Sequence, residues 1–301
     1  MLILSLGFIG LVSCGDDDDE MPTPGAGETG MSQSFDLSAV GASGASGTVT
    51  FAELDDSSVK ITVSLTGTTA GASHPAHIHD NTAAEGGGIA VSLESIDGSS
   101  GMSETIVSAK DDGSPIGYAD LIAYDGYVNV HLSADDLTTL VAQGDIGQND
   151  LTGMSMSFDL GEVAVAGISG SVTLYERVNS ETLATIALNN TPDGGSHPAH
   201  IHFNTAAEGG GIAVSFTSVD GTTGMSKTNI AALDDGTAIT YSELLDFNGY
   251  VNVHLSADDL ATLVAQGDIG QNDLTGMSMS FDLGEVAVAG ISGSVTLYER
   301  V

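Results

Sequence analysis

A single cysteine, Cys14, excludes any disulfide within the chain. A secreted fold built on this sequence must therefore rest on core packing or on a bound ligand such as a metal. Basic residues are nearly as scarce: Lys60, Lys110, Arg177, Lys227 and Arg300 stand against 41 acidic residues. Nucleic acid is gripped by clustered Lys and Arg, so this class of partner is excluded, as is electrostatic docking on anionic lipid. No apolar run reaches the roughly 20 residues that span a bilayer as a helix. What remains is a chain with a formal net charge of −36 and 41% hydrophobic residues. The charge keeps such a protein soluble and separate, and suits cationic or divalent partners. The apolar content is enough for real cores.

The amino terminus reads as an address. Met1 to Val12 is a short apolar run, the length of a signal-peptide core. It ends in Leu11-Val12-Ser13-Cys14, which resembles the lipobox of bacterial lipoproteins, although no Lys or Arg precedes the run. The resemblance implies that Cys14 carries the lipid and that residues 1–14 form the signal peptide and lipobox. Residues 15–30 hold Asp16 to Asp19, Glu20, Pro22 and Pro24. Like charges and Pro or Gly oppose regular structure, so this stretch is expected to be a disordered acidic tether. A cysteine followed by acids also resembles the surface-export signal of Bacteroidetes lipoproteins. The expected location is the outer membrane or cell surface, with membrane contact through the lipid on Cys14.

Internal repetition dominates the rest. Ser73-His74-Pro75-Ala76-His77-Ile78-His79 returns as Ser196-His197-Pro198-Ala199-His200-Ile201-His202, and Gly126 to His131 returns as Gly249 to His254. Met154 to Val178 reappears unchanged as Met277 to Val301. The layout is one domain over 31–153, a second over 154–276, and a partial third repeat over 277–301. That last piece is expected to borrow a sheet edge from the second repeat or from another molecule. Segments such as Val59-Lys60-Ile61-Thr62-Val63-Ser64-Leu65 alternate apolar and polar residues, the period of half-buried strands. Turn clusters such as Asp97-Gly98-Ser99-Ser100-Gly101 separate them. One short helix per repeat is expected at Ala134 to Ala142, capped by Ser133 with Asp136 and stopped by Gly144. The fold class is all-β: two tandem antiparallel β-sandwich, Greek-key-like domains with one short helix each.

All eight histidines fall in these motifs. Alternate strand residues share a face, so His77 and His79 project together. If the later strand lies alongside, His131 can join them. The second repeat offers His200, His202 and His254. Three imidazoles suit Cu or Zn with a fourth position left open; His74, Glu85, His197 and Glu208 are the auxiliary candidates. The same histidines can equally be structural, each imidazole tying two strands through hydrogen bonds without a metal. No Ser-His-Asp set stands out and no cysteine is left for nucleophilic work, so an enzyme is not expected. The Asp-Asp-Gly turns do not match the spaced oxygens of an EF-hand loop. Met102 and Met225 could offer sulfur to Cu(I), with packing as the alternative.

Each repeat resembles a CHRD domain, the chordin-type module of secreted proteins. Ala76-His77-Ile78-His79 and Tyr127-Val128-Asn129-Val130-His131 carry the likeness, and Ala199 to His202 with Tyr250 to His254 repeat it. The closing Gly144-Asp145-Ile146-Gly147-Gln148 departs from the family by lacking its arginine. The likeness implies a β fold with the histidines on two strands. A fainter one, to the Cu/Zn superoxide dismutase sandwich, rests on His77-Ile78-His79-Asp80-Asn81-Thr82 and on Val130-His131 followed by Ala134-Asp135-Asp136-Leu137. No bridging histidine lies between His79 and His131, and the net charge would repel superoxide, so only a mononuclear site is compatible with it. Two functions follow as expectations. One is surface display of β domains for binding, adhesion or matrix contact with an extracellular protein or glycan. The other is a copper- or zinc-binding module, with a redox role open to it.

Overall fold

The computed structural model describes residues 26–301, so Cys14, the lipobox and most of the tether lie outside the described residues. The tether as read from sequence ends too late: residues 28–30 already belong to the first strand.

The first repeat runs β1 (Glu28–Ala39), β2 (Ser46–Leu54), β3 (Val59–Thr66), β4 (Ser73–Asp80), β5 (Ile89–Asp97), β6 (Met102–Val107), α1 (Tyr118–Leu121), β7 (Asp125–Ser133) and β8 (Asp136–Gly147). Strand order is β1-β2-β3-β6-β5-β4-β7-β8, closing into a barrel. The chain leaves β3 to start β4 beside the future β7, then returns through β5 and β6, which is a Greek-key connection. Closure of β1 on β8 is short, resting on Ser38 opposite Gln143 and Ala39 opposite Ala142. The all-β antiparallel expectation holds, and the sandwich-like packing takes the form of a closed sheet.

Alternation along the strands builds the core. On β3, Val59, Ile61, Val63 and Leu65 are buried in the same cluster as Ala76 and Ile78 of β4 and Val128 and Val130 of β7. Each such aliphatic side chain contributes roughly 1.5–3 kcal/mol by leaving water. The intervening residues of β4, His77 and His79, consequently face outward from the barrel.

The second repeat copies the first: β9 (Leu151–Glu162), β10 (Ser169–Arg177), β11 (Thr182–Asn189), β12 (Ser196–His197), β13 (Ala199–Phe203), β14 (Ile212–Ser215), β15 (Val219–Asp220), β16 (Met225–Ile230), α2 (Tyr241–Leu245), β17 (Asn248–Ser256) and β18 (Asp259–Gly270). Its sheet opens with β12 on β15 and ends with β13 on β14. Because β12 and β13 are one chain run interrupted only at Pro198, whose counterpart Pro75 lies within the continuous β4, the two ends of that sheet meet. β1 and β9 start at Glu28 and Leu151, just ahead of the boundaries read at 31 and 154.

The third repeat supplies β19 (Leu274–Leu283) and β20 (Gly293–Arg300). They form a two-stranded sheet of their own, so the expected borrowing of an edge from the second repeat is not seen. Instead Arg300 grips the second repeat through an ion pair to Asp268.

The expected helix at Ala134 to Ala142 is a correction. Residues 133–136 turn the chain between β7 and β8, with Ser133 paired to Asp136, and 136–147 form a strand. The Ser133 hydroxyl does accept from Asp136 N, at 3.2 Å, and the Asp136 carboxylate accepts from Thr138 N and Thr139 N. Those are the contacts of a cap used to close a hairpin turn. Pairing with β7 and β1 then overrides helix propensity. Leu137, which such a helix would turn to the core with Leu140 and Val141, is half exposed, whereas Val141 is buried. The one helix per repeat is real but lies at α1 and α2. At α2, Thr240 Oγ1 accepts from Glu243 N while the Glu243 carboxylate accepts from Thr240 N, a capping box. Among the described residues no helix is long and apolar enough to cross a membrane.

Candidate metal centre

β4 and β7 are antiparallel neighbours, with His77 opposite Asn129 and His79 opposite Tyr127. His131 follows on β7 at a bulge, where the register against β8 shifts between Val130 and His131. An irregularity of this kind re-aims a side chain without ending the strand. The result brings His77, His79 and His131 together, one nitrogen from each lying within 4.8 Å of the others. Ring centroids are 5.1 Å apart for His77 and His131, and 5.9 Å for His77 and His79.

Each ring is oriented by a partner. His131 Nδ1 donates to Leu137 O at 2.7 Å, which leaves Nε2 as a lone pair. That Nε2 lies 3.1 Å from His77 Nδ1. His79 Nδ1 donates to Gly87 O at 3.1 Å, and its Nε2 is buried with no hydrogen-bond partner. The His79 ring stacks on Tyr127 at 4.9 Å, while the Tyr127 hydroxyl accepts from Gly87 N. Carbonyls that hold the non-ligating nitrogen are the usual outer support of a metal-binding histidine. Two nitrogens tetrahedrally bound at 2.0–2.1 Å stand roughly 3.3 Å apart, close to the observed separation of His77 and His131.

The glycine-rich loop between β4 and β5, Asn81 to Gly88, therefore has a positional task. A Cβ on Gly87 would meet Asp80 O at 1.9 Å, and Gly86 has φ of +76°. Only glycine lets this loop fold back over β4 and present its carbonyl to His79.

Burial, then the two neighbouring imidazoles, lowers the pKa of His77. Burial is also the leading cause of the lowered pKa of His131, opposed by its bond to Leu137 O. Both rings are thereby favoured in the neutral form that binds metal.

The second repeat reproduces the geometry. His200, His202 and His254 cluster in the same way. His254 Nε2 lies 3.2 Å from His200 Nδ1, His254 Nδ1 donates to Leu260 O at 2.7 Å, and His202 Nδ1 donates to Gly210 O at 3.0 Å. His202 stacks on Tyr250 at 5.0 Å. The pKa values of His200 and His254 are lowered for the same first cause, burial.

The auxiliary candidates fall elsewhere. His74 is buried with Nδ1 donating to His131 O and Leu132 O, and His197 does the same to His254 O. These two histidines fit the structural role, since they tie β4 and β12 to the ends of β7 and β17. Glu85 accepts from Thr82 Oγ1 at 2.7 Å, and Glu208 from Thr205 Oγ1 at 3.0 Å. Both carboxylates close their own loop rather than join the histidines. Sequence reading missed the support given by Gly87, Tyr127 and Leu137. Only the Gly86-Gly87-Gly88 run next to the H-x-H pair pointed toward it.

Residues 28–136 match the CHRD domain family. The matched stretch contains His77, His79 and His131. No curated protein and no solved structure matches the chain.

Proposed function

We propose that each repeat is a binding site for one transition-metal ion, copper or zinc, held by His77, His79 and His131 in the first and by His200, His202 and His254 in the second. The observation that carries this reading is the tautomer arrangement. Backbone carbonyls take the Nδ1 protons of His131 and His79, so the Nε2 lone pair of His131 is left beside His77 Nδ1 and that of His79 is left without a partner. The Nε2 of His79 and of His202 is buried and unpartnered, a state that His74 and His197 share; what sets the first two apart is that each belongs to a group of three histidines with one nitrogen apiece within 4.8 Å, where an ion would satisfy an atom whose burial otherwise costs about 1–3 kcal/mol.

Three imidazoles leave one coordination position free for water or a small ligand. No carboxylate or nucleophile stands in the cluster, so the reading is of metal capture or carriage and not of a hydrolytic enzyme. The second repeat is read as a further CHRD-type domain on the strength of its matching motifs and identical geometry. Lipidation of Cys14 and surface display complete the proposal, and they rest on sequence alone. In that picture two metal sites are held away from the membrane on an acidic chain, whose charge favours cations near it.

The test is calorimetric titration of metal-stripped protein with Zn²⁺ and Cu²⁺. Two equivalents are expected for the full chain, and one for a His79→Ala, His131→Ala double variant. No binding at micromolar protein, or two equivalents retained by the double variant, overturns the assignment.

A further inference from the structure

Positions 54, 177 and 300 are equivalent in the three repeats, and they hold Leu, Arg and Arg. Arg177, the last residue of β10, is fully buried at the junction of the first two repeats. Its Nη1 donates to Asp145 Oδ2 of β8 at 2.8 Å and also to the backbone oxygen of Asn149. Its Nε donates to Asn229 Oδ1 of β16 at 2.8 Å. One planar guanidinium thus joins acceptors from both repeats, a geometry that lysine cannot copy. Backbone bonds continue the contact, Val178 N to Asp150 O at 2.9 Å and Asn179 N to Gln148 O at 3.0 Å.

The third repeat makes the same grip. Arg300 Nη1 donates to Asp268 Oδ2 at 2.7 Å and to the Asn272 backbone oxygen, and Val301 N donates to Asp273 O. Only β19 and β20 of that repeat are present, so the end of the arginine-bearing hairpin makes these contacts by itself. A second charge supports the first. Lys227 lines the same cleft as Asp36, Asp145 and Asp150, whereas the equivalent position of the first repeat is Glu104. Of five basic residues in the whole chain, Arg177, Lys227 and Arg300 are all at such a position. The first repeat carries Leu54, Glu104 and Ile106 where the second carries Arg177, Lys227 and Asn229.

We propose that the pole formed by Asp145, Asn149 and Asp150, with its counterpart at Asp268, Asn272 and Asp273, is a socket whose ligand is the arginine-terminated hairpin of a further repeat of this kind. The residue at position 54, 177 or 300 decides whether a repeat can follow another. Leu54 makes the first repeat an end piece, which offers a socket and no arginine. Docking therefore runs in one direction along the chain and fixes the joint between repeats. This inference is independent of metal at the histidines.

The experiment uses the full chain in a Cys14→Ser background with nitroxide labels at Ser99→Cys and Thr222→Cys, both exposed turn positions. Pulsed electron resonance then reads the distance between repeats. A single narrow distribution is expected for the otherwise native chain. Arg177→Leu, which imports the residue of the first repeat, should broaden it severalfold, Arg177→Lys should not restore it, and Arg300→Leu should leave it unchanged. An equally narrow distribution in Arg177→Leu, with both barrels folded by circular dichroism, overturns the proposal. Should Arg177→Leu unfold, Asp145→Asn decides. It keeps the Oδ1 acceptor for Ala83 N, which lies 2.7 Å away, and replaces only the Oδ2 that accepts from Arg177 Nη1, removing that bond and its charge; an unbroadened distribution there is equally fatal.

Discussion

His131 Nε2 faces His77 Nδ1 at 3.1 Å, and the duplicate pair, His254 and His200, faces at 3.2 Å. Two nitrogens this close share a proton or a metal ion. The choice changes stability in a measurable way. Saturating metal should raise the melting temperature, because a ligand held only by the folded state stabilises it by about 2.7 kcal/mol at a hundredfold excess over Kd. Calorimetric melting with and without Zn²⁺ checks this. A His131→Ala, His254→Ala protein should show no metal-dependent shift.

Without metal, the same histidines make the fold acid-sensitive. Burial first, and neighbouring imidazoles next, holds His77 and His200 below the ordinary value of 6.5, and burial does the same for His131 and His254. As pH falls, the unfolded chain takes up these protons before the folded one does. The stability they contribute is complete above about pH 6.5 and is lost as pH falls toward their folded values. Hydrogen bonds from Thr139 and Thr138 hold Asp136 down at about 2, so its loss belongs to a separate, far more acidic window. Urea midpoints of metal-free protein between pH 7.5 and 5.5 should decline. A midpoint flat across that range, or one that declines equally in a protein carrying His77→Ala, His131→Ala, His200→Ala and His254→Ala, contradicts this account.

Gly87→Ala should damage one site and spare the other. The added Cβ would lie 1.9 Å from Asp80 O, so the loop must move and take the Gly87 carbonyl away from His79. Loss of such an outer partner typically lowers metal affinity 10–100-fold. Titration should resolve one weakened and one native site, since Gly210 still supports His202 at 3.0 Å.

Much of the site was legible in the sequence because strand periodicity is local. Alternation places His77 and His79 on one face whatever the fold, and the confinement of all eight histidines to two motifs pointed to His131 and His254 as companions. The same local reasoning failed at Ser133 to Ala142. A serine with an aspartate three residues on serves a helix start and a hairpin turn alike, and only pairing with β7 and β1 decides between them. Nor could sequence reveal the partners of Arg177. Asp145 lies 32 residues away in another repeat, and nothing in the spacing links them. The arginine was visible only as a rare base, and the substitution of Leu54 by Arg177 acquires meaning once the repeats are seen end to end.

Asn149 offers the last test, because it closes the first barrel from a buried position. Its Nδ2 donates to Asn81 O at 3.1 Å, to Asp125 Oδ1 at 2.9 Å and to Gly126 O at 3.3 Å. One side chain thus ties the start of the glycine-rich loop to the first residues of β7, which are the two segments that carry His79 and His131 into position. Asn149→Ala removes the donor and leaves its acceptors buried, so the expected cost is about 1–3 kcal/mol. At roughly 2–4 °C per kcal/mol for a protein of this size, the melting temperature should fall by several degrees. Ile106→Ser, at a position 64% exposed, should stay within about 0.5 kcal/mol of native. Asn272 makes the equivalent bonds to Asn204 O, Asn248 Oδ1 and Gly249 O in the second repeat, so Asn272→Ala should cost a similar amount. Equal melting temperatures for Asn149→Ala and Ile106→Ser would mean that the loop and β7 are held by the ladder alone, and that the side chain of Asn149 does not support the first metal site.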